Sequence, residues 1–237
     1  MIGANEIHLW DVELNQPAEQ YAALAELLSA DEVTRANAFY FERDRRRFTV
    51  ARAVLRILVG NYLNQSPRAI AFTYHPLGKP ALAGESSFQF NLSHSHQRAV
   101  YAFGLDHRLG VDLEYVRSVM DMDRIARQNF SARENTVFNG LPTPVKQRAF
   151  FNCWTRKEAY IKASGEGLSH ALDSFDVTFL EGEPARLRWV RGQPGEPTRW
   201  TLSAFELDDA YVGAIATRQT VRRIVFRSWE MADNQSL

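Results

Sequence analysis

Residues 110–114 read Gly110-Val111-Asp112-Leu113-Glu114 and lie near the middle of the 237-residue chain. The segment is predicted to be a strand, in which alternate residues point to the same side. Asp112 and Glu114 therefore present two carboxylates on one face. Adjacent carboxylates repel unless a cation neutralises them, and an all-oxygen ligand set suits Mg²⁺. A solvated strand end is the alternative interpretation, because Asp-x-Glu alone is not specific.

The elements predicted on the two sides of this segment follow the same order. Each side reads as one long amphipathic helix followed by three short strands. The first side comprises a helix at 47–63 and strands at 69–74, near Phe88 and near Ala99; the second comprises a helix at 144–163, stopped by Gly165, and strands at 175–179, near Trp200 and near Tyr211. The repeated order favours an α+β fold of two similar halves, 1–107 and 108–237, although helix-then-hairpin order can also recur by chance.

Composition excludes several classes of protein. Lys plus Arg equal Asp plus Glu at 28 each, which argues against a general nucleic-acid binder. Cys153 is the single cysteine, so no intrachain disulfide can form. No apolar run approaches the ~20 residues that span a bilayer, and the first residues lack a signal-peptide pattern. The sequence therefore predicts a soluble cytoplasmic protein.

The second long helix carries a charged pair beside an apolar stripe. Phe151, Trp154 and Ile161 share one face at 100° per residue, and Glu158 falls at its border. Lys162 lies one turn beyond Glu158, which is the favourable orientation for an ion pair. A carboxylate placed there needs a partner because its desolvation is costly. Either Lys162 alone or a metal ion with a phosphate fits this requirement.

A polar segment, Asn91-Leu92-Ser93-His94-Ser95-His96, follows the strand-like residues 88–90. Its hydroxyl and imidazole groups suit hydrogen bonding to phosphate oxygens. Zinc is disfavoured because no third His or Cys stands at ligand spacing, and no nucleophile-elbow motif supports a Ser–His pair. An ordinary polar turn is the alternative.

Cations precede this segment. Gly78-Lys79-Pro80 displays one lysine in a turn but is not a P-loop. An arginine cluster lies earlier in the chain, and guanidinium groups match phosphate oxygens well. We expect only one or two of these arginines to touch a ligand, since charge runs usually mark a solvated face. The cluster comprises Arg35, Arg43, Arg45, Arg46, Arg47 and Arg52.

Taken in order, these segments resemble the Sfp-type 4′-phosphopantetheinyl transferases. The match rests on Gly78-Lys79-Pro80, on residues 91–95, on residues 110–114, and on Trp154-Thr155-Arg156-Lys157-Glu158-Ala159-Tyr160-Ile161-Lys162 followed by Gly165-x-Gly167-Leu168. The resemblance implies a monomer with a pseudo-twofold α+β fold, in which coenzyme A and Mg²⁺, or Mn²⁺, bind between the halves. It also implies transfer of 4′-phosphopantetheine to a serine of an acyl, peptidyl or aryl carrier protein, with release of 3′,5′-ADP. A non-catalytic coenzyme A-binding module and a Mg²⁺-dependent pyrophosphate-bond hydrolase are the alternatives.

The same resemblance assigns roles to individual residues. Metal ligands are expected at Asp112, Glu114 and Glu158, and Glu158 is also the candidate general base. Lys162 is expected to contact the pyrophosphate as a catalytic cation. Contacts with coenzyme A phosphates are expected from Lys79, Ser93 and His94, and contacts near the 3′-phosphate from Arg47 and Arg35. The family often has a small residue after Ser-His-Ser, whereas His96-Gln97 follows here and puts the local loop shape in question.

A carrier-docking surface is predicted in residues 116–135. This segment mixes basic residues with flexible apolar ones, which suits an acidic helix of the carrier. An amphipathic helix packed on its own core is the alternative. The residues concerned are Arg117, Arg124, Arg127, Arg133, Met120, Met122 and Phe130.

Overall fold

The computed structural model describes residues 2–75, 78–84, 86–105, 108–165, 171–218, 220–221 and 223–231. Gly167 and Leu168 of the family motif, and the predicted boundary at residue 107, lie outside these ranges. Within them the helices are α1 (Ala18–Ala25), α2 (Ala30–Asn37), α3 (Glu42–Leu63), α4 (Met122–Asn129), α5 (Ala132–Asn139) and α6 (Thr143–Ser164). The strands are β1 (Glu6–Glu13), β2 (Phe72–Tyr74), β3 (Pro80–Leu82), β4 (Phe88–Ser95), β5 (Arg98–Leu105), β6 (Leu109–Tyr115), β7 (Phe175–Val177), β8 (Leu187–Val190), β9 (Thr201–Glu206), β10 (Tyr211–Thr217) and β11 (Arg223–Trp229).

Two main sheets repeat one topology. The first has the order β11-β1-β5-β4 and the second the order β6-β10-β9, with all pairs antiparallel except β1 with β11. Each half also places a two-stranded hairpin after its long helix, β2–β3 after α3 and β7–β8 after α6. Strands β1, β5 and β4 thus correspond to β6, β10 and β9. The predicted α+β fold of two similar halves is confirmed.

The long helices cover the outer faces of the sheets, and a shared core joins the inner faces. Along β1, Val12 packs with α3, whereas Ile7 and Leu9 turn to the opposite side. There they meet Val111 of β6 and Ile215 of β10 in one buried cluster. This period-2 alternation allows both faces of the first sheet to be buried. Each half thus has a core of its own, and this further cluster is shared by both halves.

Strand β11 was not predicted, and it returns to the first half of the molecule. It pairs in parallel with β1, from Glu6 beside Arg223 to Val12 beside Trp229. The division of the chain near residue 107 stays a prediction, and the sheet of the first half contains this strand from the second.

Helix ends follow the capping signals in the sequence. Ser131 Oγ accepts a hydrogen bond from Glu134 N at 3.1 Å, while Ser131 N donates to Glu134 Oε2 at 2.8 Å, a reciprocal capping box for α5. Gly165 ends α6 with a φ of 77°, a left-handed conformation that glycine adopts without strain. The predicted stop at Gly165 is confirmed. Among the described residues, no helix has the length and apolar character required to cross a membrane.

Candidate active site

The polar segment after Phe90 is part of a strand rather than a turn. Strand β4 continues to Ser95, so the alternative of an ordinary polar turn after residue 90 does not hold. Asn91, Ser93 and Ser95 lie at alternate positions of β4 and face β6, and their side chains form hydrogen bonds to β6. The first link is a hydrogen bond of 2.7 Å from Val111 N to Asn91 Oδ1.

Two serines of β4 contact the two carboxylates of β6. Ser93 Oγ donates to Asp112 Oδ1 at 2.9 Å, and Ser95 Oγ donates to Glu114 Oε2 at 2.8 Å. The acidic residues belong to one half of the fold and the hydroxyls to the other. The predicted strand face carrying Asp112 and Glu114 therefore lies at the junction of the halves.

Helix α6 approaches the same face of β6 closely, because Gly110 has no side chain. A Cβ at residue 110 would meet the carbonyl oxygen of Ala159 and lie 2.5 Å from the nitrogen of Ala163. This close approach brings Glu158 and Lys162 of α6 beside the β6 carboxylates.

Lys162 contacts Asp112 rather than Glu158. Its Nζ lies 2.7 Å from Asp112 Oδ1, 3.1 Å from Ser93 Oγ and 3.2 Å from the carbonyl oxygen of Val111. Lys162 was one of the two partners considered for Glu158, and these two described residues form no ion pair, because the sheet offers Lys162 a nearer carboxylate. Asp112 Oδ2 is buried without a hydrogen-bond partner in the described part of the chain.

The three carboxylates carry more negative charge than Lys162 neutralises. Burial raises the pKa of Glu158, and the nearby charge of Asp112 raises it further. Burial and Asp112 also raise the pKa of Glu114, against the hydrogen bond from Ser95. No group of three or more His, Cys, Asp or Glu side chains is already arranged around a metal position within the described ranges. The unpartnered Asp112 oxygen and the surplus negative charge nevertheless fit a divalent cation bound by oxygen ligands.

These groups line a cleft of about 900 Å³ between the halves. The lining includes all three predicted metal carboxylates and every predicted phosphate-binding residue except Arg47. Arg47 instead donates from Nε to Asn15 Oδ1 at 3.2 Å. Arg35 reaches the cleft from α2, with its guanidinium carbon 5.8 Å from the ring centroids of Phe48 and Tyr74.

Lys79 lies in the wall of the cleft and bonds to backbone. Its Nζ donates to the carbonyl oxygens of Lys162 at 2.7 Å and Leu109 at 3.1 Å. Burial and the charge of Lys162 lower the pKa of Lys79 to about 8. The side chain thus ties the β2–β3 hairpin to β6 and α6, in addition to placing a positive charge at the cleft.

His94 alternates with the serines and lies on the other face of β4. Its ring is exposed to the cleft, but the protein around it removes part of its hydration, and this desolvation lowers the pKa of His94. The positive charges of Lys162 and Arg47 lower that pKa further. A neutral imidazole has one N–H donor and one acceptor, so it can donate one hydrogen bond to a phosphate oxygen.

The loop after Ser95 accommodates the residue that departs from the family pattern. His96 adopts a φ of 53°, and its ring stacks on Tyr115 with centroids 4.7 Å apart. This contact holds the β4–β5 turn against the end of β6.

Arg52 lines the cleft, although the sequence indicated it only as a member of the arginine cluster and assigned it no role. It is 7% exposed, and its Nε lies 3.5 Å from Glu32 Oε1. Arg52 Nη1 has no partner among the described groups. Helical periodicity was the available signal, because Arg52 and Arg56 share the buried side of α3 and both approach Glu32.

The predicted docking segment is only partly at the surface. Phe130 is 2% exposed and belongs to the core of the second half, and Met122 packs against that core. Met120 is 88% exposed. For Phe130 the alternative therefore holds, because its ring fills the core; docking of a carrier on the rest of the segment stays a prediction.

Two family models match the chain in consecutive parts. One, described as "4′-phosphopantetheinyl transferase superfamily", matches residues 108–216. The other, described as "4′-phosphopantetheinyl transferase, N-terminal", matches residues 14–104.

Relatives match over nearly the whole length. The 4′-phosphopantetheinyl transferase HetI of Nostoc sp. is 40% identical over 216 residues, covering 90% of this chain and 88% of the relative. The 4′-phosphopantetheinyl transferase psf-1 of Bacillus pumilus is 30% identical over 213 residues, with the same two coverages. The 4′-phosphopantetheinyl transferase Sfp of Bacillus subtilis is 23% identical over 209 residues, covering 87% of this chain and 90% of the relative. The chain therefore belongs to the 4′-phosphopantetheinyl transferase superfamily.

Proposed function

We propose that this chain transfers the 4′-phosphopantetheine group of coenzyme A to a serine of a carrier protein. The observation that carries the proposal is that three carboxylates from β6 and α6 line the same cleft as the cations Lys79, Lys162 and Arg35. A diphosphate needs cations around its oxygens, and a divalent ion needs the carboxylates. A site for a diphosphate alone would not need the carboxylates, and a site for a divalent ion alone would not need the cations.

The relatives give independent support, since each is named as a 4′-phosphopantetheinyl transferase and matches along most of its length. Neither the coenzyme A-binding module nor the pyrophosphate-bond hydrolase is favoured by these names. We further propose that the protein is a cytoplasmic monomer and that its activity depends on Mg²⁺, for which Mn²⁺ can substitute.

Asp112, Glu114 and Glu158 are the residues that would hold Mg²⁺. When bound, the ion would neutralise charge on the diphosphate oxygens and on the departing nucleotide. The fit rests on the buried oxygen of Asp112 that lacks a partner and on the surplus negative charge of the group.

The remaining steps use the side chains of the protein. The carrier serine oxygen attacks the phosphorus that bears pantetheine, and the bond from that phosphorus to the 3′,5′-ADP oxygen breaks, so the leaving group keeps the electron pair. Glu158 accepts the serine proton, directly or through water. Lys162 supplies fixed positive charge beside the diphosphate.

The other cations and polar groups orient the nucleotide. We assign Lys79 and His94 to the diphosphate side of the cleft and Arg35 to the 3′-phosphate. Ser93 contacts the diphosphate by turning its hydroxyl from Asp112 to a phosphate oxygen, and Arg47 contacts the 3′-phosphate by leaving Asn15. Holding both phosphate groups aligns the reacting phosphorus with an incoming serine, and positioning provides much of the catalysis in phosphoryl transfer.

Intact-mass measurement of an apo-carrier protein after incubation with coenzyme A and Mg²⁺ tests the proposal. We expect the carrier to gain the mass of one phosphopantetheine group. Free coenzyme A cleavage products without a carrier mass gain would indicate the hydrolase, and binding without either product would indicate the binding module.

The Glu158→Gln variant tests the assignment of the base in the same assay. We expect turnover to fall by about 10²–10⁴-fold, the usual contribution of general-base catalysis, with folding retained. Glu19→Gln, an exposed site on α1, is the matched control and should transfer normally. Near-normal transfer by Glu158→Gln would remove this residue from the mechanism.

A further inference from the structure

Ser95 has both of its hydrogen-bonding directions fixed. Its Oγ accepts a hydrogen bond from the backbone nitrogen of Tyr115 at 3.1 Å and donates to Glu114 Oε2 at 2.8 Å. A serine hydroxyl carries a single proton, so this proton is committed to the carboxylate. The stacked rings of His96 and Tyr115 lie at the same end of the strands.

Ser93 repeats the pattern two residues earlier. Its Oγ accepts from Lys162 Nζ at 3.1 Å and donates to Asp112 Oδ1 at 2.9 Å. In the free protein, two hydroxyls on β4 therefore each donate their single proton to one carboxylate on β6. The serines differ in position, because Ser93 lines the cleft whereas Ser95 is not among the described residues that line it. Because β4 and β6 belong to different halves, the first half orients the acidic groups of the second.

We propose that Ser95 is a positioning residue that orients Glu114 for the divalent cation and does not contact coenzyme A. The inference rests on the proposed function for the identity of the ion. Ser95 was grouped with phosphate-contacting residues by its sequence neighbours, but its proton is directed at a carboxylate instead. Hydrogen bonds from a second layer of residues commonly fix the orientation of metal-binding carboxylates.

The geometry of Glu114 explains why such a partner is useful. This carboxylate is half-buried on β6, and Ser95 Oγ lies 2.8 Å from its Oε2. A hydrogen bond to one carboxylate oxygen selects one orientation of the group before the ion arrives.

A purely structural role for Ser95, joining β4 to β6, predicts a different result. Removing the hydroxyl would then lower thermal stability without altering affinity for the ion. The discriminating quantities are the Mg²⁺ dissociation constant, measured by calorimetry on the full chain with coenzyme A present, and the KM for coenzyme A at saturating Mg²⁺.

For Ser95→Ala we expect Mg²⁺ binding to weaken by about tenfold or more, as loss of such a partner commonly causes. The KM for coenzyme A should stay within about twofold of the wild-type value when Mg²⁺ is saturating, and excess Mg²⁺ should restore kcat. Ser95→Thr, which keeps the hydroxyl, should bind Mg²⁺ as the wild type does.

Ser203→Ala is the matched control, because Ser203 is half-buried on β9 at the far edge of the second sheet. It should leave Mg²⁺ affinity unchanged. If Ser95→Ala does not fold, Ser95→Thr and Ser95→Val provide a pair of equal shape that differs in the hydroxyl. Unchanged Mg²⁺ affinity in the variants without the hydroxyl, or a raised KM for coenzyme A at saturating Mg²⁺, would overturn the inference.

Failure of the inference is separable from failure of the proposed function. A wild-type protein that adds no mass to any carrier would refute the function. A wild-type protein that transfers normally, beside variants with unaltered Mg²⁺ affinity, would refute only the role of Ser95.

Discussion

Glu158 has no hydrogen-bond or ion-pair partner among the described residues, although it is half-buried on α6. Burial raises its pKa, the charge of Asp112 raises it further, and Lys162 only partly opposes this. In the free protein, the charged form of Glu158 is therefore held at a cost to stability. Such a cost is typical of active sites, where groups are arranged for the bound state.

We expect Glu158→Gln to stabilise the protein in the presence of a chelator at pH 8. The folded-state pKa of Glu158 lies above its unfolded value, so ionisation weakens folding at pH values above both. A gain of about 1 kcal/mol would raise Tm by roughly 2–4 °C in a chain of this size. The gain should shrink as pH falls through the raised pKa, because the wild-type carboxyl group then takes up a proton.

Thermal unfolding of both proteins between pH 8 and pH 5 measures this effect. Glu19→Gln on the exposed face of α1 should show no comparable gain. A Glu158→Gln variant that is less stable than the wild type at pH 8, or whose advantage grows on acidification, would contradict the electrostatic account.

The sequence predicted where the acidic residues lie, but it did not predict which side chains bind to them. Strand alternation was sufficient to put Asp112 and Glu114 on one face. Helix spacing offered Lys162 as one of two possible partners of Glu158. The pairing of Lys162 with Asp112 was not predicted, because this spacing carries no information about an approaching sheet. The role of Ser95 was missed because β4 was ended at Phe90, and the period-2 pattern of Asn91, Ser93 and Ser95 was the unused signal.

At the level of elements, the site depends on how closely α6 packs on β6. Gly110 permits that distance, since a Cβ there would press on the backbone of Ala159 and Ala163. A side chain could relieve such a clash by changing rotamer, but these are backbone atoms of a helix, so the whole helix would have to move. The glycine of the Gly-Val-Asp-Leu-Glu segment is therefore a packing residue that sets the distance between its two acids and Glu158.

Gly110→Ala should destabilise the protein by about 3 kcal/mol, at the upper end of the usual overpacking range, because backbone must move. It should also reduce transfer by shifting α6 away from β6. Chemical denaturation measures the first effect and the carrier mass assay the second. Gly195→Ala is the control, because nothing lies within 4 Å of a Cβ at that position. Equal stability of Gly110→Ala and the wild type would disprove the close packing.

Elements with strong local signals were predicted, and those that depend on distant partners were not. The helix expected at 144–163 is α6 at Thr143–Ser164, because apolar periodicity and Gly165 both mark it. Strand β11 has exposed and half-buried residues without a clear alternation, and its partner β1 lies at the other end of the chain. Such parallel pairing is decided by tertiary contacts.

For the whole molecule, the two halves contribute different chemistry to one cleft. The first half supplies Arg35, Lys79 and the serines of β4, while the second supplies the carboxylates and Lys162. Matching element order was enough to predict two similar halves. It did not predict that the edges of β4 and β6 meet, because that contact is made by side chains from distant segments.

The central claim is that Asp112, Glu114 and Glu158 converge on one divalent ion beside the diphosphate of coenzyme A. A crystal structure of the protein with coenzyme A and Mn²⁺, with anomalous data that locate the ion, tests it most directly. We expect one anomalous peak in contact with oxygens of these carboxylates and of the diphosphate, with Lys162 directed at a phosphate oxygen. An ion bound elsewhere, or carboxylates directed away from it while coenzyme A occupies the cleft, would contradict the claim.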